Sequence, residues 1–280
     1  MQTQSISARL HGITRWLVPL AALLAVAAWL YIAPPGFLGK ADAIGYAVCH
    51  RIDARSFHVL GRQLPLCARC TGEFNAAAVG LIFQGLIAGK RMRLPRRGII
   101  AIMVLFFLAF AVDGSNSYLY LLKQDMPGGS LDALPNLYVP NSTLRLLTGS
   151  GMGIALAAIL YPVVNQTLWQ RPEDLPALEW KSFAALTGMV ILMDLLILTG
   201  SPVVLYPVAV LGVLGVLGLL TMVFTIVWII LMRLENSFEA LPSLWLSALA
   251  GLTMALLLIV SIDLFRFQLT HTWSGFPGMG

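Results

Sequence analysis

Long apolar runs, broken by short polar connectors, organise the whole chain. A helix that crosses a bilayer needs about 20 mainly apolar residues, because each residue rises about 1.5 Å through about 30 Å of hydrocarbon. Seven segments meet that requirement, approximately 16–33, 74–88, 98–122, 144–164, 183–199, 203–232 and 244–267. The second is short, and its helix is expected to begin inside the sequence CARCTG, residues 67–72. The sixth is long, and Pro207 marks either its true start or a kink. The first follows Arg9 and Arg15 but is longer than the roughly 7–15 apolar residues of a signal-peptide core, so it is expected to be retained as a helix.

Composition fits this pattern. The chain is 58% hydrophobic and 11% charged, with a mean hydropathy of +0.83. Soluble domains carry about 25% charged residues, so a water-soluble fold is excluded. The expected fold class is all-α, a polytopic transmembrane bundle of about seven spans with a small Cys/His knuckle outside the membrane. The expected division is an N-terminal helix over 1–40, a module of knuckle and three spans over 41–165, and a three-helix region over 166–280.

The net charge of +5 points to lipid rather than nucleic acid. The basic residues flank apolar spans, where they set orientation and meet anionic headgroups. No basic segment is interleaved with aromatic residues, so no nucleic-acid partner is expected. The connector KRMRLPRR, residues 90–97, packs five positive charges together and marks a cytoplasmic side. Arg9, Arg15, Arg171, Lys181 and Arg233 fall on that same side. The N-terminus is then cytoplasmic, and the segment 34–72 is extracytoplasmic. That segment nevertheless carries Lys40, Arg51, Arg55, Arg62 and Arg69. They are tolerated in a structured loop, or serve function, or indicate the inverted topology.

The same segment holds all three cysteines, Cys49, Cys67 and Cys70, together with His50. Cys-x-x-Cys puts two thiolates on one tight turn within reach of a tetrahedral ion. Cys49 and His50 would complete a Cys3His set, with His58 as a substitute for His50. The run SFHVLGRQLPLC, residues 56–67, could form a hairpin turning at Gly61 that carries Cys67 back to Cys49. Gly72, after the pair, would relax the backbone so that amides point at the sulfurs. Zinc or another transition metal suits these ligands. A Cys67/Cys70 redox dithiol with Cys49 as exchange partner, a disulfide, or plain packing are the alternatives.

Polar residues inside the spans add a second cluster. Asp113 interrupts the third span, and Asn141 and Arg145 lie one helical turn apart at the start of the fourth. Asp113 and Arg145 are the expected ion pair, since a buried carboxylate needs a partner. Asp194 and Asp263 are expected in interfacial structural roles. Asn141 also opens an Asn-x-Thr sequon, relevant only where glycosylation occurs. The run GSGMG lacks the lysine and preceding strand of a phosphate loop, so Gly149 and Gly153 are expected to pack helices. Such glycines could also support oligomerisation.

The string CHRIDARSF, then GRQLPLCARCTGEF, then Asp113-Gly114, then NSTLRLLTG resembles the prokaryotic membrane-protein family named domain of unknown function 2085. The resemblance covers roughly residues 45–155. It departs from the family pattern at Glu73 to Asn75, where an aromatic and often a glycine are expected. The family name assigns no activity, so the resemblance implies no enzyme, substrate or cofactor. It implies that the cysteine segment, Asp113 and the Asn141/Arg145 turn form one module.

The expectation is a metal-binding membrane protein with ligands Cys49, His50, Cys67 and Cys70. Asp113, Asn141, Arg145, Arg55 and Arg69 would line a pocket for a small anionic ligand or lipid headgroup. The alternatives are a membrane thiol–disulfide oxidoreductase using Cys67 and Cys70, or a small-solute or ion transporter with structural cysteines. Whether the chain is an enzyme is left open.

Overall fold

The computed structural model describes residues 2–125 and 134–275, with side chains from residue 12 onward. Eight α-helices run in the order α1 (Gln2–Ile32), α2 (Phe37–Val48), α3 (Ala68–Ile87), α4 (Arg97–Asp125), α5 (Ser142–Leu168), α6 (Trp180–Leu198), α7 (Pro202–Met232) and α8 (Trp245–Thr270). Among the described residues, seven helices are long and apolar enough to cross a membrane, and they match the seven expected segments one for one. Pro207 lies inside α7, which starts at Pro202. The chain is therefore a polytopic helical membrane protein.

The short α2 was not expected. At 12 residues it is too short to span, and it buries a face of small residues including Gly39, Ala41 and Ala43. It carries the chain from the end of α1 into the cysteine segment, where the expected hairpin forms. Strands β1 (Ser56–Val59) and β2 (Arg62–Cys67) pair antiparallel, with Ser56 opposite Cys67. Leu60 and Gly61 between them both have positive φ, 51° and 78°. Two successive left-handed residues make the two-residue turn whose twist matches paired strands.

At the other end of α3, the basic connector forms β3 (Arg91–Arg93), which pairs parallel with β4 (Glu173–Pro176). Arg93 bonds Asp174 there. A 20-residue helix is about 30 Å long, so the cysteine hairpin and the basic connector cap opposite ends of the bundle.

Helix α3 is the central element. It packs most extensively on α5, then on α7, while α4 leans chiefly on α5 and α1 on α8. Glycines make the α3–α5 approach close. A Cβ at Gly149 would lie 2.1 Å from the Arg69 carbonyl oxygen, and one at Gly153 would lie 2.1 Å from that of Glu73. On the facing helix, a Cβ at Gly72 would meet the Leu146 carbonyl oxygen at 2.2 Å. Gly72 thus serves helix contact and not amide freedom, a correction to its expected role. The expected packing function of Gly149 and Gly153 stands. In a membrane, where lipid tails are as apolar as side chains, such close contact is what holds helices together.

G149A should therefore destabilise the protein by about 1–3 kcal/mol, the usual range for overpacking. G188A, at an exposed helical position with open space around it, should leave stability unchanged or raise it. Thermal unfolding of both variants in one detergent checks the contrast.

Candidate functional site

Helix α3 begins inside the Cys-x-x-Cys motif. Cys67 is its N-cap residue and Cys70 lies in its first turn. The hairpin brings this helix start back beside the end of α2, where Cys49 is the C-cap residue. The sulfurs of Cys49, Cys67 and Cys70 all lie within 4.8 Å of one another. All three are free thiols. Cys49 is buried in an apolar cluster with Ile44, Leu66, Val213 and Ile259, and Cys67, Cys70 and Phe74 pack against it.

The thiols share protons unequally. The S–H bonds donated by Cys49 and then Cys70 pull the Cys67 thiol well below its ordinary value, and the Cys70 and Arg69 amides at the open end of α3 add to this. Cys49 is pushed up to about 12, first by its bond to Cys67. The first negative charge in the cluster therefore rests on Cys67, at a helix N-terminus that favours anions. The backbone N–H groups of Cys67 and Arg51 point at the Cys49 sulfur, at 3.3 and 3.4 Å.

His50 does not join this trio. It is exposed and lines the cavity beside the sulfurs. Its carbonyl accepts from Arg266 Nη2 at 3.0 Å, and that of Cys49 accepts from Arg266 Nη1 at 2.6 Å. Arg266, buried in α8 over the Tyr46 ring, thereby fixes the backbone that presents Cys49 and His50. No motif drew attention to Arg266. The signal was an arginine at the end of the last apolar run, one helical turn after Asp263. His58, the substitute ligand, pairs with Asp53 at 2.9 Å instead.

Asp113 is 1% exposed. Its partner is Arg69, which corrects the expected Asp113–Arg145 pair. Arg69 Nε donates to Asp113 Oδ2 at 3.1 Å, and its Nη2 contacts the same oxygen. Tyr138 donates to Oδ1 at 2.8 Å and Thr148 to Oδ2 at 3.3 Å. Burial first, then the bond to Asp113, pushes the Tyr138 phenol up to about 12, so it remains a donor. Arg69 wins because α3 starts within the motif, which places its long side chain against α4. Asn141 is not in the cavity lining. It is the N-cap of α5, its Oδ1 accepting from the Leu144 amide at 2.8 Å. Asp194 accepts from Ser150 at 2.8 Å, and Asp263 lies buried in α8 near Arg266.

The three sulfurs form one wall of a cavity of about 500 Å³. Arg55, Arg69, Arg145 and Glu73 contribute charge to it, and Phe110, Tyr118 and Leu121 of α4 contribute an apolar side. Asp113 lies behind Arg69 and does not line it. Glu73 belongs to the segment that departs from the family pattern. Its neighbour Asn75 is fully buried and donates to the Thr71 carbonyl at 2.8 Å. The other basic residues of the segment are met by acceptors. Arg51 and Arg62 pair with Asp42 at 3.0 and 2.7 Å, Lys40 bonds the Ala33 carbonyl, and Arg55 bonds that of Ser117 at 3.2 Å.

A double-mutant cycle should separate the two pairings. R69Q and D113N are expected to be non-additive by about 0.5–3 kcal/mol, as contacting residues are. R145Q and D113N should be closer to additive. Unfolding midpoints of the single and double variants provide the measurement.

Residues 49–159 match the family model described as "Predicted membrane protein (DUF2085)". The chain is similar to the uncharacterized protein MJ1492 of Methanocaldococcus jannaschii, with 23% identity over 132 residues, 46% of this chain and 71% of that one. No solved structure matches. The segment that matches this family of predicted membrane proteins, residues 49–159, holds the cysteine trio, Asp113 and Arg145 together.

Proposed function

We propose that the protein is a membrane-embedded metal site, in which Cys49, Cys67 and Cys70 hold one thiolate-preferring ion beside an arginine-lined cavity. The observation that carries this reading is the mutual approach of three free sulfurs to within 4.8 Å. Ligands at about 2.3 Å around a tetrahedral ion stand about 3.8 Å apart, so small side-chain movements would close the trio on one ion. Zinc fits the donor set best, since soft thiolates select zinc or copper(I) over hard cations. His50, at the rim of the same cavity, is the remaining member of the ligand set; an exogenous group could take that position instead. When bound, the ion would tie the hairpin to α2 and α3 and set a positive charge in the cavity wall.

A second reading is favoured by the Cys67 thiol at the start of α3, which is held well below its ordinary value. Cys67 and Cys70 could exchange with a disulfide of another protein. Their two thiols would lose two protons and two electrons in forming one bond, and the partner disulfide would be reduced to two thiols.

Metal analysis of full-length protein, purified with its thiols protected, distinguishes these. About one equivalent of transition metal is expected, falling to near zero in C67S. Less than about a tenth of an equivalent in the wild type, with a Cys67–Cys70 disulfide that follows the redox buffer, would favour exchange.

A further inference from the structure

Arg145 stands apart from every other arginine around the cavity. It is 6% exposed, in the first turn of α5, yet its guanidinium makes no hydrogen bond or ion pair among the described residues. Arg69 has Asp113 and Ser117 as acceptors, and Arg55 has the Ser117 carbonyl. The nearest charges make the situation of Arg145 harder, because Arg55 and Arg69 both repel it, while Asp113 and Cys67 attract it. A buried cation without an acceptor is unfavourable unless something supplies one. The opening beside it is a cavity of about 500 Å³ into which all three arginines project as lining residues.

We infer that this cavity binds a phosphate group, with Arg145 as its principal ligand and Arg55 and Arg69 flanking it. Guanidinium forks match the oxygens of carboxylates and phosphates. One fork satisfies the two oxygens of a carboxylate. Three converging arginines call for an anion with more oxygens and more charge, and phosphate supplies both. Glu73 is the one carboxylate in the lining, set against three arginines, and one side of the remaining lining suits a chain attached to that head. Phe110, Tyr118 and Leu121 form the apolar side, on a helix that leans chiefly on α5. Tyr118 is 57% exposed on the outer surface of α4, so the apolar side continues toward lipid. A phosphate-headed lipid could enter along α4, while free phosphate would occupy the head position alone. The inference rests on the cavity of the proposed function, and not on which atom the sulfurs hold.

The test uses the full-length chain in a neutral detergent, with metal content measured on every sample. One arm adds inorganic phosphate, with potassium chloride at equal ionic strength as control. The other adds phosphatidic acid, with diacylglycerol, which has the same chains and no phosphate, as control. Binding is read as an upward shift of the unfolding midpoint and as bound ligand in native mass spectrometry. At least one phosphate compound should bind wild-type protein more tightly than its control. R145Q should weaken it about tenfold, as expected for loss of charge-assisted hydrogen bonds, without loss of metal. R145K, which keeps the charge and removes the fork, should weaken it less, by about threefold.

Binding in the lipid arm alone assigns the phosphate to a membrane lipid. Binding in the phosphate arm alone assigns it to a soluble anion, and binding in both shows that the head suffices. Failure of both compounds to bind wild type would overturn the inference. So would equal affinity in wild type, R145Q and R145K. Either failure with metal still bound would leave the metal reading intact, whereas phosphate binding to metal-free protein would do the reverse.

Discussion

A carboxylate buried among membrane helices must be met by donors, and Asp113 meets four of them. Arg69 reaches it from α3 with two nitrogens, Tyr138 from the loop before α5, and Thr148 from α5 itself. Two helices and a connecting segment are thereby referred to one side chain on α4. The Arg69 end of this junction is one residue from Cys70 and two from Cys67. The position of the thiols and the position of the cavity arginines are therefore one constraint. The glycine contacts of α3 with α5 hold the backbones at the distance that this side-chain reach requires.

The cysteines sit at a boundary between two environments. On one side lies the apolar cluster of Ile44, Leu66, Val213 and Ile259, and on the other the arginine-lined cavity. An apolar setting suppresses thiolates, whereas a helix N-terminus favours them. The bonds among the three thiols decide that balance first, with Cys49 pushed up to about 12 by its bond to Cys67 and Cys67 pulled down by the bonds from Cys49 and Cys70. Arg266 supports the arrangement from α8, beyond the segment that matches the family, by holding the carbonyls of Cys49 and His50. The last helix is thus part of the site's framework even though it contributes nothing to the cavity lining.

Much of this was legible in the chain itself. The spans follow from length and apolarity, which in a bilayer leave few alternatives. The hairpin followed from a glycine at the midpoint between β-rich runs, and with it the return of Cys67 to Cys49. The errors have physical causes. Helix α2 is short and rich in small residues, so neither length nor periodicity revealed it. Asn141 shares a helical face with Arg145 but stands at the helix start, where an asparagine caps the backbone instead of facing a pocket. The partner of Asp113 was misassigned because spacing along one helix ranks local neighbours, while the length of an arginine from another helix decides the pairing. The same misassignment concealed the most informative feature of the site, an Arg145 that Asp113 does not neutralise.

The central claim is that Cys49, Cys67 and Cys70 act as one ligand set. X-ray absorption at the metal edge of the as-purified full-length protein tests it most directly. Three sulfur neighbours at about 2.3 Å and one lighter neighbour are expected. An ion with two or fewer sulfur neighbours would contradict the account.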